Sequence, residues 1–179
     1  MGSAGSGKTR VSKRLAEALG LPRLELDAVY HQPGWEPCDP EEFTDRVRAF
    51  VAQDAWVVDG NYTSHGSTEV VWPRADTIVW LDLPRRVIMR RVVLRTLRRV
   101  ITRQELWNTN REPWANLYAW DPEKNIIRWA WTRFRQTRDK YERHLAAGTW
   151  DHARMVRLRT ARQVWEFVDS TERAAAPHG

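Results

Sequence analysis

GSAGSGKT (residues 2–9) satisfies the pattern G-x-x-x-x-G-K-[ST] at every constrained position. Its glycines, Gly2, Gly5 and Gly7, permit backbone conformations that turn consecutive amides toward an anion, with Ser3, Ala4 and Ser6 between them. Lys8 adds a cation for terminal phosphates, and Thr9 a hydroxyl suited to Mg²⁺. A glycine-serine start can also match such a pattern by chance, so the reading rests on the residues beyond Thr9. Val11, Leu15 and Leu19 recur at every fourth position, with Arg10, Lys13, Arg14 and Glu17 between them. That spacing predicts an amphipathic helix opening at the lysine and closing at Gly20. Its N-terminus supplies the favourable end of a helix dipole, as anion sites require.

A loop of this kind normally hangs from a preceding β-strand. The expectation is that Met1 is an internal methionine, that a short apolar strand belongs before it, and that the sheet has a gap where that strand would lie.

Further along, LELD (24–27) reads as a strand ending at Asp27, followed by a loop from Ala28 to Cys38. Asp39 and Pro40 open a helix, with Glu42 closing a capping box and Phe43, Val47 and Phe50 as its stripe. WVVD (56–59) and TIVWLD (77–82) read as buried strands, and Thr63 to Glu69 as a loop. From Pro84 to about Gln104 a helix sets Met89, Val93, Leu97 and Val100 against eight arginines. Trp107 to Asp121 reads as loop or short helices. A second long helix starts at Asp121 and Pro122 and carries Ile127, Trp131, Phe134, Tyr141 and Leu145. RMVRL (154–158) and a helix from Ala161 to Val168 complete the pattern, with a frayed tail after Ser170. Strands alternating with helices predict a parallel, three-layer α/β sheet, with ligands beyond the strand ends where Asp27, Asp59 and Asp82 fall.

The 179 residues, 42% hydrophobic, suffice for one α/β domain. Cys38 is the single cysteine, so no internal disulfide forms. No window has the apolar length of a membrane span or signal peptide, and the expectation is a cytoplasmic protein with no membrane partner. The charge of +6 comes almost wholly from arginine. Guanidinium groups grip phosphate in forked pairs, which suits polyphosphates or nucleic acid, although a GC-rich genome produces the same bias.

GSAGSGKT, LELD, PGW (33–35), VVDGNY (57–62), PRADTIVWLDLP (73–84) and NRE (110–112) together resemble the small bacterial adenylate-kinase-like P-loop proteins, some labelled DNA topology modulation proteins. The resemblance runs from Gly2 to about Val168. It implies a nucleoside-monophosphate-kinase core within residues 1–170, a lid at about 99–121, and a disordered tail at 171–179. ATP would lie on residues 2–9, and an acceptor between the second and third strands of that fold.

Asp59, at the end of a buried strand, is the candidate to hold Mg²⁺ with Thr9, and Asp27 the candidate to orient an acceptor hydroxyl or take its proton. Each also has a plainer reading as a cap or an arginine partner. Arg99, Arg103 and Arg111 flank the lid and are the candidates to reach ATP phosphates. His31, Trp35 and Tyr62 are the candidate acceptor contacts. One departure stands out. Adenylate kinases carry an arginine shortly after the aspartate-glycine of the third strand, whereas this chain reads Asp59, Gly60, Asn61, Tyr62, Thr63, leaving Arg46, Arg74 or Arg85 as substitutes.

The expected activity is Mg²⁺-dependent transfer of the ATP γ-phosphoryl group to a small acceptor, a nucleotide or nucleoside. An ATP-switched regulator bound to nucleic acid and a nucleotide binder without turnover are the alternatives.

Overall fold

TIVWL builds the centre of the molecule because its alternate residues face two different apolar clusters. A computed structural model describes residues 1–62, 66–121 and 125–176. In it β1 (Arg23–Glu25) pairs in parallel with β2 (Val57–Asp59), and β3 (Thr77–Leu81) in parallel with β4 (Arg154–Leu158). Leu81 packs with Val11, Leu15, Ile88, Val92, Phe134, Leu158 and Val168. Ile78 and Trp80 face the other way, against Tyr141 and Trp150. A third cluster gathers Leu26, Val29, Cys38, Phe43 and Val47.

Helices surround these strands. They are α1 (Lys8–Leu19), α2 (Leu26–Tyr30), α3 (Pro40–Val51), α4 (Ser67–Val71), α5 (Arg85–Thr102), α6 (Ala115–Tyr118), α7 (Ile126–Ala146) and α8 (Ala161–Ala175). The caps follow local rules. Asp39 accepts from the amides of Glu41 and Glu42, Asn125 from those of Ile127 and Arg128, and Thr160 forms a full capping box with Gln163. The box expected at Glu42 does not form, because that carboxylate pairs with Arg46 at 2.5 Å.

The strands make two separate two-stranded sheets where one sheet was expected. β2 and β3 lie on opposite sides of a cavity of about 470 Å³. Met1 lines it beside β3. The Met1 amine donates to Val79 O at 2.5 Å, and the Leu81 amide donates to Met1 O at 2.9 Å. Gly2 stands opposite Leu81 in parallel.

Several boundaries differ from the sequence reading. Asp27 lies in the first turn of α2 and not at a strand end, because β1 stops at Glu25. Part of the stretch read as a loop at 63–69 is α4, and residues 63–65 lie outside the described set. The buried face of α5 is Ile88, Val92, Thr96 and Val100; Val100 was expected, whereas the other three lie one residue before Met89, Val93 and Leu97, and Leu97 is exposed. With arginines on every side of that helix, polarity alone does not select a face. The second long helix, expected to start at Asp121 and Pro122, begins instead at Ile126, because Asn125 caps it; residues 122–124 lie outside the described set. Residues 171–175 belong to α8 and are not a disordered tail, because Glu172 takes two hydrogen bonds from Arg14 of α1, at 2.8 and 2.6 Å. Residues 177–179 lie outside the described set.

Asp82, buried just after β3, turns out to be an arginine anchor. It accepts from Arg157 Nη2 at 2.6 Å and Nε at 2.9 Å, and Arg138 approaches at 3.3 Å. Glu142 holds the same Arg157 from its other side. Asp82→Ala removes the shared acceptor of this partly buried network, and it is expected to cost about 3–5 kcal/mol in urea unfolding.

Candidate functional site

The glycine-rich loop is anchored at Gly2. A Cβ there would stand 2.7 Å from Leu81 O and 2.9 Å from Ser6 Oγ, and φ is +145°. Only glycine fits that approach. Asn61, in the break after β2, donates its side-chain amide to Gly2 O. Tyr141 OH in turn donates to Asn61 Oδ1 at 2.8 Å. Gly60 allows this turn, since a Cβ there would meet Leu26 Cβ at 2.6 Å. The DGNY stretch thus clamps the loop to α7.

Within the loop the Ser6 amide closes a turn on Ser3 O at 3.1 Å, and Lys8 begins α1 after a left-handed Gly7. The Lys8 ammonium folds back onto Ser3 O at 3.2 Å. Burial pushes its pKa down, opposed most by Asp59 and then by Asp27, while Arg95 pushes it down further.

Asp59 is buried, and neither of its carboxylate oxygens has a hydrogen-bond partner. Its nearest cation is Arg23 Nη1 at 3.9 Å. A buried carboxylate left in that state is costly unless something cationic joins it. Thr9 Oγ1 points at Glu25 Oε1, 3.4 Å away. Among the described residues no three His, Cys, Asp or Glu side chains converge as a metal cluster. Mg²⁺ held with a nucleotide needs only one or two carboxylates beside phosphate and water, and the orphaned Asp59 with the Thr9 hydroxyl fits that smaller requirement.

On the other side, Tyr62 OH donates to Asp27 Oδ1 at 2.6 Å and lies 3.3 Å from His31 Nε2. Burial and the Asp27 charge hold the Tyr62 hydroxyl protonated, far above its usual range. His31 stacks on Trp107 at 5.6 Å and meets the edge of Trp35 at 5.1 Å. Asp27, His31, Trp35 and Tyr62, four candidates from the sequence, therefore form one cluster, and Trp107 joins them unforeseen.

The lid arginines are placed differently from expectation. Arg99 is bound at 2.9 Å to Glu112, whose side chain is largely covered, Arg111 pairs with Glu105 at 2.6 Å, and Arg103 is an exposed C-cap with φ +49°. The arginines near the loop are one and two turns earlier. Arg91 donates to Ser6 O at 3.0 Å. Arg95 has a buried Nε with no partner; burial and Arg99 lower its pKa, and Glu112 and Asp27 oppose them. Arg91, Arg95 and Arg99 follow one another at i, i+4 beside the buried Ile88, Val92 and Thr96, a face that the sequence did not mark. Of the three substitutes, Arg46 is paired to Glu42, and Arg85 lies over Trp131 at 3.3 Å. Arg74 lines the cavity between the sheets.

Residues 107–111 are latched to the loop around His31. Asn110 is buried; it donates to Gln32 O at 2.8 Å and accepts from the Trp35 amide at 3.0 Å. Asn108 donates to His31 O at 2.5 Å, and Trp35 Nε1 to Arg111 O at 3.0 Å. Asn110→Ala leaves the Gln32 carbonyl and the Trp35 amide without that partner. It is expected to destabilise by about 1–3 kcal/mol and to speed limited proteolysis between residues 103 and 121.

Burial holds the His31 pKa below its ordinary 6.5. Below pH 6.5 the unfolded chain therefore binds the proton first, and stability falls as pH drops toward the native value. His31→Gln is expected to flatten this acid limb in denaturation measured across pH, leaving the curve above neutrality unchanged in shape. No family model matches the chain, and no curated protein matches it.

Proposed function

We propose that this protein is an ATP-binding, P-loop, kinase-like enzyme that transfers the γ-phosphoryl group to a small acceptor carrying a hydroxyl or phosphate. The observation that carries the reading is the grouping of Lys8, Arg91 and Arg95 around the glycine-rich loop while the buried Asp59 lacks any hydrogen-bond partner. Three cations close together repel one another, and a polyphosphate relieves that repulsion. The carboxylate accounts for a further charge, that of Mg²⁺ held with Thr9.

Phosphoryl transfer asks the protein mainly for alignment and charge stabilisation. Loop amides and Lys8 bind the β- and γ-phosphates, and Arg91 and Arg95 face the equatorial oxygens. Asp59 and Thr9 would hold Mg²⁺, which would supply positive charge against the phosphates. Asp27 orients the acceptor: an acceptor oxygen bonds to the γ-phosphorus as the bond to the β,γ-bridging oxygen breaks, ADP leaves, and a hydroxyl proton passes to Asp27. Tyr62 fixes the other face of that carboxylate. His31, Trp35 and Trp107 offer flat surfaces to a ring on the acceptor.

A second reading has its own observation. Arg128 lies over Trp120 at 3.6 Å and Arg85 over Trp131 at 3.3 Å, and both tryptophans are more than half exposed. Exposed aromatic and guanidinium surfaces suit single-stranded nucleic acid. Among the described residues no helix is long and apolar enough to cross a membrane.

The test is an acceptor screen by mass spectrometry with ATP and Mg²⁺. Lys8→Ala and Arg95→Ala are each expected to lower kcat/KM by about a hundredfold or more. Asp27→Asn should lower kcat by about a hundredfold while nucleotide binding persists. Steeply salt-dependent binding of single-stranded DNA, with no Lys8-dependent product for any acceptor, would instead favour the second reading.

A further inference from the structure

We propose that the outward face of α5 docks on an anionic phospholipid surface, with Leu94, Leu97 and Ile101 entering the headgroup layer and Arg86, Arg90 and Arg98 meeting lipid phosphates. The proposal goes beyond the kinase reading and does not depend on it.

The two sides of α5 differ in kind. Its buried side carries Ile88, Val92, Thr96 and Val100. At about 100° of turn per residue, Leu97, Ile101 and Leu94 fall within an arc of about 60° on the opposite side. Arg90 lies inside that arc, and Arg86 and Arg98 border it. Leu94 is 57% exposed, Leu97 38% and Ile101 67%. Three neighbouring aliphatic side chains at i, i+3 and i+7, all in water, form a continuous apolar ridge, which a merely solvated basic face would lack. α6 packs against α5, and Trp114 and Tyr118 at its two ends are exposed as well. Rings of these two types favour the zone between water and hydrocarbon.

The charges point to the occupant. Arg85, Arg91 and Arg99 of the same helix bond within the protein. Arg86, Arg90 and Arg98 are exposed and have no ion-pair partner among the described residues. Residues 85–131 hold eleven basic and four acidic residues, so this part of the chain attracts an anionic surface. A second copy of the chain is disfavoured, since it would set arginine against arginine. Nucleic acid gains little from the ridge, because leucine and isoleucine offer bases no ring to stack on. A folded protein would need a groove shaped to a convex helix. A headgroup layer yields to such a ridge, takes aliphatic side chains beneath it and presents phosphates beside it. Surface docking needs no spanning segment, which is the membrane element that the sequence argues against.

The test is co-sedimentation of the purified protein with vesicles of phosphatidylcholine containing about 30% phosphatidylglycerol, against vesicles of phosphatidylcholine alone, at about 0.1 M NaCl. Binding to the anionic vesicles is expected, and it should fall several-fold at about 0.5 M NaCl. Leu94→Gln with Ile101→Gln keeps good helix formers on an exposed face and should weaken binding by about tenfold or more. Arg90→Gln with Arg98→Gln should weaken it by a similar factor. Leu19→Gln, at an exposed leucine of α1, should leave it unchanged. Circular dichroism checks that each variant is folded. No binding to the anionic vesicles overturns the proposal, as does undiminished binding by the Leu94 and Ile101 variant, which would reduce the attraction to charge alone. Single-stranded DNA binding or self-association that requires the same two side chains, without vesicle binding, overturns it in favour of those occupants. None of these measurements involves ATP, so failure here is distinct from failure of the kinase reading.

Discussion

Two backbone hydrogen bonds, from Met1 to Val79 and from Leu81 to Met1, hold the glycine-rich loop to the rest of the molecule. Gly2 must then pass within contact of the Leu81 carbonyl, which excludes any side chain. From that point the chain turns through Ser3 to Ser6 and enters α1 at Lys8, so the position of the lysine is inherited from the edge of β3. Asn61 and Tyr141 reinforce the same point from the opposite side, and Tyr141 is itself fixed against Trp80 and Trp150. A displacement of this anchor would move Lys8 relative to Asp59 and Asp27 together.

The charges gathered around the anchor are unbalanced as they stand. Lys8, Arg95 and the Met1 amine all have lowered pKa values, with burial as the largest cause in each. Asp59 opposes the shift at Lys8 and at the amine, yet its own oxygens make no hydrogen bond. By contrast, the equally buried Asp82 is fully engaged by arginines. These two strand-end carboxylates thus differ in their partners, which position in the sequence could not show.

Elements governed by near neighbours were legible. RMVRL is β4 to the residue, Asp39 caps α3 as its side chain predicts, and the lysine opens α1. What the sequence hid depends on contacts between distant positions. Trp107 stacks on His31, and Asn110 holds the backbone around Gln32, across separations of more than seventy residues. Glu172 keeps the end of α8 helical through Arg14, far away in the chain. The arginine helix failed for a different reason: its basic residues surround the axis, so only packing of Ile88, Val92 and Thr96 shows which arginines turn inward. Arg95, none of the three expected lid arginines, is the arginine whose charge acts on Lys8 and is itself acted on by Asp27.

The latch gives the candidate acceptor side a dependence on the far end of α5. Arg99 on that helix holds Glu112, and the residues just before Glu112 hold the loop bearing His31 and Trp35. The same helix carries Arg91 against Ser6. One helix thus bonds the glycine-rich loop through Arg91 and, through Arg99, the residue that follows the latch. Opening the aromatic cluster requires breaking the Asn108 and Asn110 bonds, whereas shifting α5 disturbs both ends together. The aromatic cluster and the loop are therefore joined by an unbroken run of side-chain contacts that does not pass through the strands.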